Sequence, residues 1–217
     1  MLITYMGHSQ FLLESASGLR VLTDPYDQSA HFPIKEAAAD VVTISHGHGD
    51  HSYLKKVLGS PMAVRTAGVH TLPEGCTAEA FPSYHDEEQG GKRGGNLLFK
   101  IHMDGLVIAH LGDLGHPLHQ EQLDFLGGTH ILLVPVGGFY TIDAGQAKSL
   151  VELVNPRITI PMHYRTSEGG LPNIATVEDF LSLMAPRTPS RQPLLRVTKE
   201  DLSQQPGLVV LKVQLEA

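Results

Sequence analysis

Residues 45–52 read SHGHGDHS. Three histidines and one aspartate fall between positions 46 and 51, with two glycines among them. The run before it, VVTIS at 41–45, is apolar and β-branched, as in a short strand. In extended chain, residues i and i+2 share a face, so His46 and His48 can present both imidazoles to one ion. Gly47 and Gly49 permit backbone angles and close approach that larger residues forbid. Asp50 and His51 follow as the chain turns, which can aim them at a second, adjacent ion. Capping of a following helix accounts for Asp50 alone. Clustered His and Asp are ordinary divalent-metal ligands, and that accounts for the whole stretch.

The 217 residues are 41% hydrophobic and 18% charged. That is the composition of a folded globular chain with one sizeable core, and a single domain over 1–217 is expected. No apolar run reaches the roughly 18 residues of a membrane span. The start, MLITYMGHSQFLLE, lacks the basic and apolar regions of a signal peptide. Cys76 is the one cysteine, which fits a reducing, cytoplasmic location. A net charge of −7 disfavours a nucleic-acid partner, which calls for a basic face, and leaves a small molecule as the expected one. Oligomeric state has no signature here. Histidine stands out, with 13 against 16 lysines and arginines together.

Outward from the motif, strand-like runs are LITYM (2–6), QFLLES (10–15), LRVLT (19–23), MAVRT (62–66), TAEAF (77–81) and NLLFKIHM (96–103). LVIAHL (106–111), HILLVPV (130–136), RITIPM (157–162) and LVVLKVQL (208–215) continue the series, and HILLVPV is apolar throughout, as a strand buried on both faces would be. Helical spacing marks YLKKVLG (53–59), PLHQEQLDFL (117–126), AGQAKSLVELV (144–154) and TVEDFLSLM (176–184). Residues 185–206 are Pro-rich and suit neither pattern. The sum is an α/β chain with a mixed sheet. Three of the apolar runs lead into metal-type residues, VVTIS into His46, LVIAHL toward Asp113 and RITIPM into His163. Ligand sites in layered α/β folds gather where strands end.

His46-x-His48-x-Asp50-His51 resembles the HxHxDH signature of the metallo-β-lactamase-fold hydrolases. TDP at 23–25, HLGD at 110–113 and IPMHY at 160–164 resemble that family's other motifs. YMGHS at 5–9 and VPVGGFYTIDAGQA at 134–147 are most similar to the branch that includes ascorbate-6-phosphate lactonase-like proteins. The resemblance implies a four-layered αββα sandwich of two mixed β-sheets flanked by helices. It implies one ion on His46, His48 and His85, a second on Asp50, His51 and His163, and Asp113 between them. Asp86 is the rival to His85, although in extended chain the two point apart. Asp24 is then a carboxylate that hydrogen-bonds the histidine loop, and His110 faces away from the ions.

Two cations about 3.5–4 Å apart can share a water and lower its pKa from 15.7 toward about 7. A bridging hydroxide could then attack a carbonyl or phosphoryl centre, with Asp50 and Asp113 as the carboxylates closest to the chemistry. Five histidines and two carboxylates make zinc the default, with manganese or iron compatible. Lys92 and Arg93 in GGKRGG (90–95), Arg165, His8 and His116 are the candidates for substrate contact. Their charge suggests a small anionic lactone, ester or amide. The alternatives are a phosphodiesterase or nuclease of the same fold, or a metal-binding protein without catalysis. Arg165 stands where many relatives carry asparagine, so the relatives' substrate does not transfer directly.

Overall fold

The computed structural model describes residues 1–214. Apolar residues alternate along Leu2–Gly7 and Gln10–Glu14, so Ile3, Tyr5, Phe11 and Leu13 all face inward. These two strands pair with each other, and the sheet they begin runs Leu195–Arg196, Leu2–Gly7, Gln10–Glu14, Arg20–Thr23, Val41–Thr43, Met62–Val64. Its first three pairings are antiparallel and its last two parallel. A second sheet runs Ile158–Met162, Ile131–Pro135, Leu106–His110, Gly95–Met103, Thr77–Tyr84, Gly68–Thr71, parallel for two pairings and then antiparallel. Both sheets are therefore mixed, and their inner faces share one core. Tyr5 and Phe11 from the first sheet lie in it with Phe99, Ile108 and Leu133 from the second.

Helices Gln120–Leu126, Ala144–Val154 and Val177–Leu183 cover the outer face of the second sheet. Ala147, Leu150 and Val151 form the buried stripe of the middle helix, and Asp143 with Gln146 closes a capping box at its start. Covered on both sides, Ile131–Pro135 is buried at every position. The outer face of the first sheet has a thinner cover. Met6, Leu22, Val42 and Ile44 pack there against Ala37, Ala39 and Val57, with Ala37–Ala38 paired to Val57–Leu58.

That thin layer corrects the expected helix at 53–59. The chain makes a single 3-10 turn at Leu54–Lys56, then enters the strand pair. Leu54 and Leu58, the residues that suggested an apolar stripe, are 38% and 47% exposed. β-branched Val57 pairs with Ala37 instead, and Gly59 takes a positive φ. The unplaced segment 185–206 contributes Ser190–Gln192, which pairs with Val209–Leu211, and Leu195–Arg196, which extends the first sheet. Of the closing strand expected at 208–215, Val209–Leu211 is formed, and Leu215 lies outside the described residues. Gly68–Thr71 is a further strand that the pattern missed. Among the described residues no helix is long and apolar enough to cross a membrane.

The topology gathers strand ends. Leu2–Gly7 runs into His8, Val41–Thr43 toward His46, Thr77–Tyr84 into His85, Leu106–His110 toward Asp113, and Ile158–Met162 into His163. All five residues meet at one edge of the sandwich. Leu133 anchors the strand at the centre of this arrangement and is fully buried. Leu133→Ala should lower the free energy of unfolding by about 2–5 kcal/mol in denaturant titration; a loss below about 0.5 kcal/mol, the size of a surface change, would contradict this packing.

Candidate metal centre

Asp24 organises the histidine loop. It is fully buried, and its carboxylate accepts from the Ser45 backbone N–H (2.7 Å), the Ser45 hydroxyl (2.6 Å) and His51 Nδ1 (2.9 Å). With its own O–H donated to Asp24, the Ser45 hydroxyl oxygen accepts from His46 Nδ1 at 3.0 Å. Both His46 and His51 are thereby set with Nε2 inward. His46 Nε2 lies 3.0 Å from His48 Nδ1, so the i, i+2 pair does share a face. Of the two loop glycines, Gly49 is pressed against the Asp27 carboxylate and has no room for a Cβ, whereas Gly47 faces open space. Asp50 sits in the one-turn helix Gly49–Ser52 without capping it. Its Oδ2 turns inward, 3.4 Å from His8 Nε2 and 3.9 Å from His51 Nε2.

Asp113 arrives from the second sheet. Gly112 before it has a φ of 53° and lies against Asn96 and Ser45, so only glycine fits there. Asn96 Oδ1 accepts the Asp113 N–H at 3.0 Å, while its amide donates to Ser83 and to the Leu111 carbonyl. Asp113 Oδ2 then lies 3.1 Å from His51 Nε2, 3.2 Å from His85 Nε2 and 3.4 Å from His163 Nε2. Three sets of donor atoms, each within 4.8 Å of one another, can hold a metal ion: His46, His48, His85; His46, Asp50, His51; and His8, His51, His163.

The electrostatics call for a cation. Burial opposes charge on Asp113, yet His163 and His51 hold its carboxyl well below the usual range. Burial likewise opposes a charged His51, and Asp113 and then Asp24 outweigh it, so its pKa is raised well above the imidazole range. Burial comes first for His46, with His51 adding to it, and its pKa falls to about 3. Asp50 stays ionised against its burial because His8 and His51 face it. Asp113 Oδ1, His85 Nδ1 and both ring nitrogens of His163 are buried and make no hydrogen bond among the described residues. Among the described residues no lysine or arginine pairs with Asp113. Buried carboxylate oxygens and imidazole nitrogens that converge without a lysine or arginine fit divalent metal.

Of the remaining candidates, Arg93 alone reaches the cavity of about 290 Å³ above these residues, which Asp50, Asp113 and His163 also line. Its guanidinium lies 5.5 Å from the Tyr140 ring centre and donates to the Phe139 carbonyl. Asp86 is turned away from the centre. Its carboxylate accepts the backbone N–H groups of Glu88, Gly90, Lys92 and Arg93, and so ties down the glycine-rich turn. Lys92 pairs with Glu88 at the surface. Arg165 lines a separate cavity with Arg191 and Lys212, because its backbone pairs with the Ala175–Thr176 segment and its Nε donates to Ile174. His116 has both ring nitrogens on backbone groups, Pro117 and Tyr84, and is not brought to the centre. His110 Nε2 donates to the Ser9 carbonyl and its Nδ1 accepts from Gly112, so it braces two loops without facing the donors. His8 is fully buried and lies beneath the cavity rather than in its wall. Ser45, Asn96 and Tyr140 carried no sequence signal, since each is an unremarkable polar or aromatic residue until the loops meet.

Residues 2–163 match the family described as the beta-lactamase superfamily domain. A "UPF0173 metal-dependent hydrolase" of Archaeoglobus fulgidus is 32% identical over 197 residues, covering 76% of this chain and 84% of that protein. A second of that name, from Carboxydothermus hydrogenoformans, is 31% identical over 194 residues, covering 76% and 85%. The crystal structure of a Thermotoga maritima protein assigned as a Zn-dependent hydrolase of the metallo-beta-lactamase superfamily superposes with a TM-score of 0.81 at 35% identity, covering 98% and 99% of the two chains. With this fold and these donors, the protein is of the metal-dependent hydrolase class. The chain belongs to the metallo-β-lactamase superfamily, in its UPF0173 family.

The role of Asp24 is directly testable. Asp24→Asn leaves the shape but removes the charged acceptor that orients His51, so affinity for zinc should fall by about 10–100-fold in a competition titration against a chromophoric chelator. Unchanged affinity would show that Asp24 does not orient the ligands.

Proposed function

We propose that this chain is a dinuclear hydrolase of small anionic lactones, esters or amides, contained in a single domain. The observation that carries this reading is one Asp113 oxygen within 3.4 Å of imidazoles from three separate segments, at the floor of a cavity that Arg93 overlooks. His46, His48 and His85 would hold one ion, Asp50, His51 and His163 the other, and Asp113 both. Two bound divalent ions supply Lewis acidity and an activated water, and zinc suits the imidazole-rich set, with manganese or iron as the other candidates.

The chain's own residues do the rest. Asp24 keeps the His51 proton on Nδ1, and Ser45 does the same for His46, which leaves both Nε2 atoms free to bind metal. Asp50, 19% exposed at its side chain, is the acidic group of the second set that opens to the cavity. Its carboxylate is positioned to hold a proton passing to or from substrate. Arg93 offers a planar fork, steadied by Tyr140 and by the Asp86-tethered turn, to a carboxylate or phosphate on the substrate. No serine or cysteine nucleophile is required. The segments YMGHS and VPVGGFYTIDAGQA support a place near the lactonase-like branch, and a net charge of −7 makes a cation at the cavity a selective feature for anions.

The test is a panel of lactones, esters, amides and phosphodiesters, each as an anionic compound and its neutral analogue, with protein stripped by chelator and reloaded with zinc or manganese. Hydrolysis of an anionic carbonyl substrate should vanish on stripping and return on reloading. Arg93→Ala should raise KM for that substrate by about tenfold to a hundredfold, the equivalent of a charged hydrogen bond of about 1.5–3 kcal/mol, and leave the neutral analogue unaffected. Turnover of phosphodiesters alone, or of nothing by fully reloaded protein, would overturn the proposal.

A further inference from the structure

His8 is the buried histidine that the seven-residue ligand set leaves without a task. It sits at the tip of the tight hairpin between Leu2–Gly7 and Gln10–Glu14, with a φ of 54°. Its carbonyl accepts from the Tyr5 hydroxyl at 2.9 Å and from the His163 backbone N–H at 2.8 Å. Two neighbouring carbonyl contacts, from Thr23 and His110 to Ser9, pin the same tip. The ring therefore has a fixed place. Its Nε2 lies 3.0 Å from His51 Nε2 and 3.4 Å from Asp50 Oδ2, and its ring centre is 4.3 Å from that of His163.

His51 Nδ1 faces Asp24, which favours a proton on that nitrogen, so an ion that displaces any proton from Nε2 would meet its lone pair. His8 Nε2 points at that same lone pair and at the Asp50 carboxylate, which are two of the donors assigned to the second ion. Among the described residues His8 Nδ1 has no partner, and the ring is fully buried and outside the cavity wall, so it does not face a substrate. We propose that His8 is a direct ligand of the second ion through Nε2, joining Asp50, His51, His163 and Asp113. This rests on the two-ion reading above. It gives the two sites unequal donor sets, with three imidazoles and two carboxylates at the second against three imidazoles and the shared Asp113 at the first. The hairpin tip, which is remote in sequence from HxHxDH, then becomes part of the metal site.

The test is a competition titration with Co(II) on the full chain, followed by the visible ligand-field spectrum of the saturated protein. His8→Gly suits the positive φ, and His8→Asn tolerates it while keeping a polar side chain; circular dichroism of each stripped variant checks that it is folded. Loss of a partner that merely orients a ligand costs about 10–100-fold in affinity, so loss of a ligand should cost at least about tenfold at the second site, with the first site unchanged. The second cobalt's absorption should change in both variants, and added imidazole should restore it in His8→Gly. A weakened second site with an unchanged spectrum would overturn the proposal and make His8 a positioning residue for Asp50. Wild-type affinity at both sites in either folded variant would overturn it as well. Failure of the wild-type chain to take a second Co(II) would overturn the two-ion reading, and the proposal with it.

Discussion

The Asp113 carboxylate is 2% exposed and lies among His51, His85 and His163 at 3.1–3.4 Å. Taking such a charge out of water costs several kcal/mol unless an opposite charge is close. A proton on His51 meets part of that need in the metal-free protein, since Asp113 and Asp24 both favour its charged form. Divalent ions meet it better, because they satisfy several lone pairs at once and leave the imidazoles neutral. Metal uptake must then displace that proton, which couples affinity to pH: binding is tighter as pH rises and weaker as protons compete for His51.

The scaffold is arranged around keeping this set rigid before any ion arrives. His8, Asp24 and His163 all have positive φ, at 54°, 38° and 53°. Strain of this kind persists where surrounding contacts over-determine it. Here the contacts are specific: Tyr5 and the His163 N–H on the His8 carbonyl, Ser45 and His51 on Asp24, Asn96 on the Asp113 N–H. The His163 contact joins the second sheet to the hairpin of the first, and the others tie loops to strands within one sheet. Between the sheets, Tyr5 and Phe11 of the first share one core with Phe99, Ile108 and Leu133 of the second, which holds the two sets of strand ends together.

Much of this was legible in the residues. HxHxDH and the apolar runs leading to Asp113 and His163 point to a metal site at the ends of strands, and the helix at 144–154 is clear from the spacing of Ala147, Leu150, Val151 and Val154. What escaped has physical reasons. Leu54 and Leu58 repeat at helical spacing but are exposed, because Val57 is taken into a strand pair with Ala37. Short edge strands such as Gly68–Thr71 and Leu195–Arg196 carry too few residues to show a period. The sequence favours Arg165 over Arg93 as the partner of an anion, and only the tethering of residues 88–93 by Asp86 beside the cavity, against the pairing of Arg165 with the 175–176 segment, puts Arg93 in its wall. His8 reads from the sequence as a turn residue that could touch substrate, and only the folded hairpin buries it against His51.

Asp113 stands where both sheets meet, and a two-ion centre organised by that one carboxylate has a direct signature. Anomalous diffraction from crystals of the zinc-loaded chain, recorded on both sides of the zinc edge, tests it most directly. Two anomalous peaks should flank the Asp113 carboxylate, one beside His46, His48 and His85 and the other beside Asp50, His51 and His163. A single peak, or peaks away from Asp113, would contradict it.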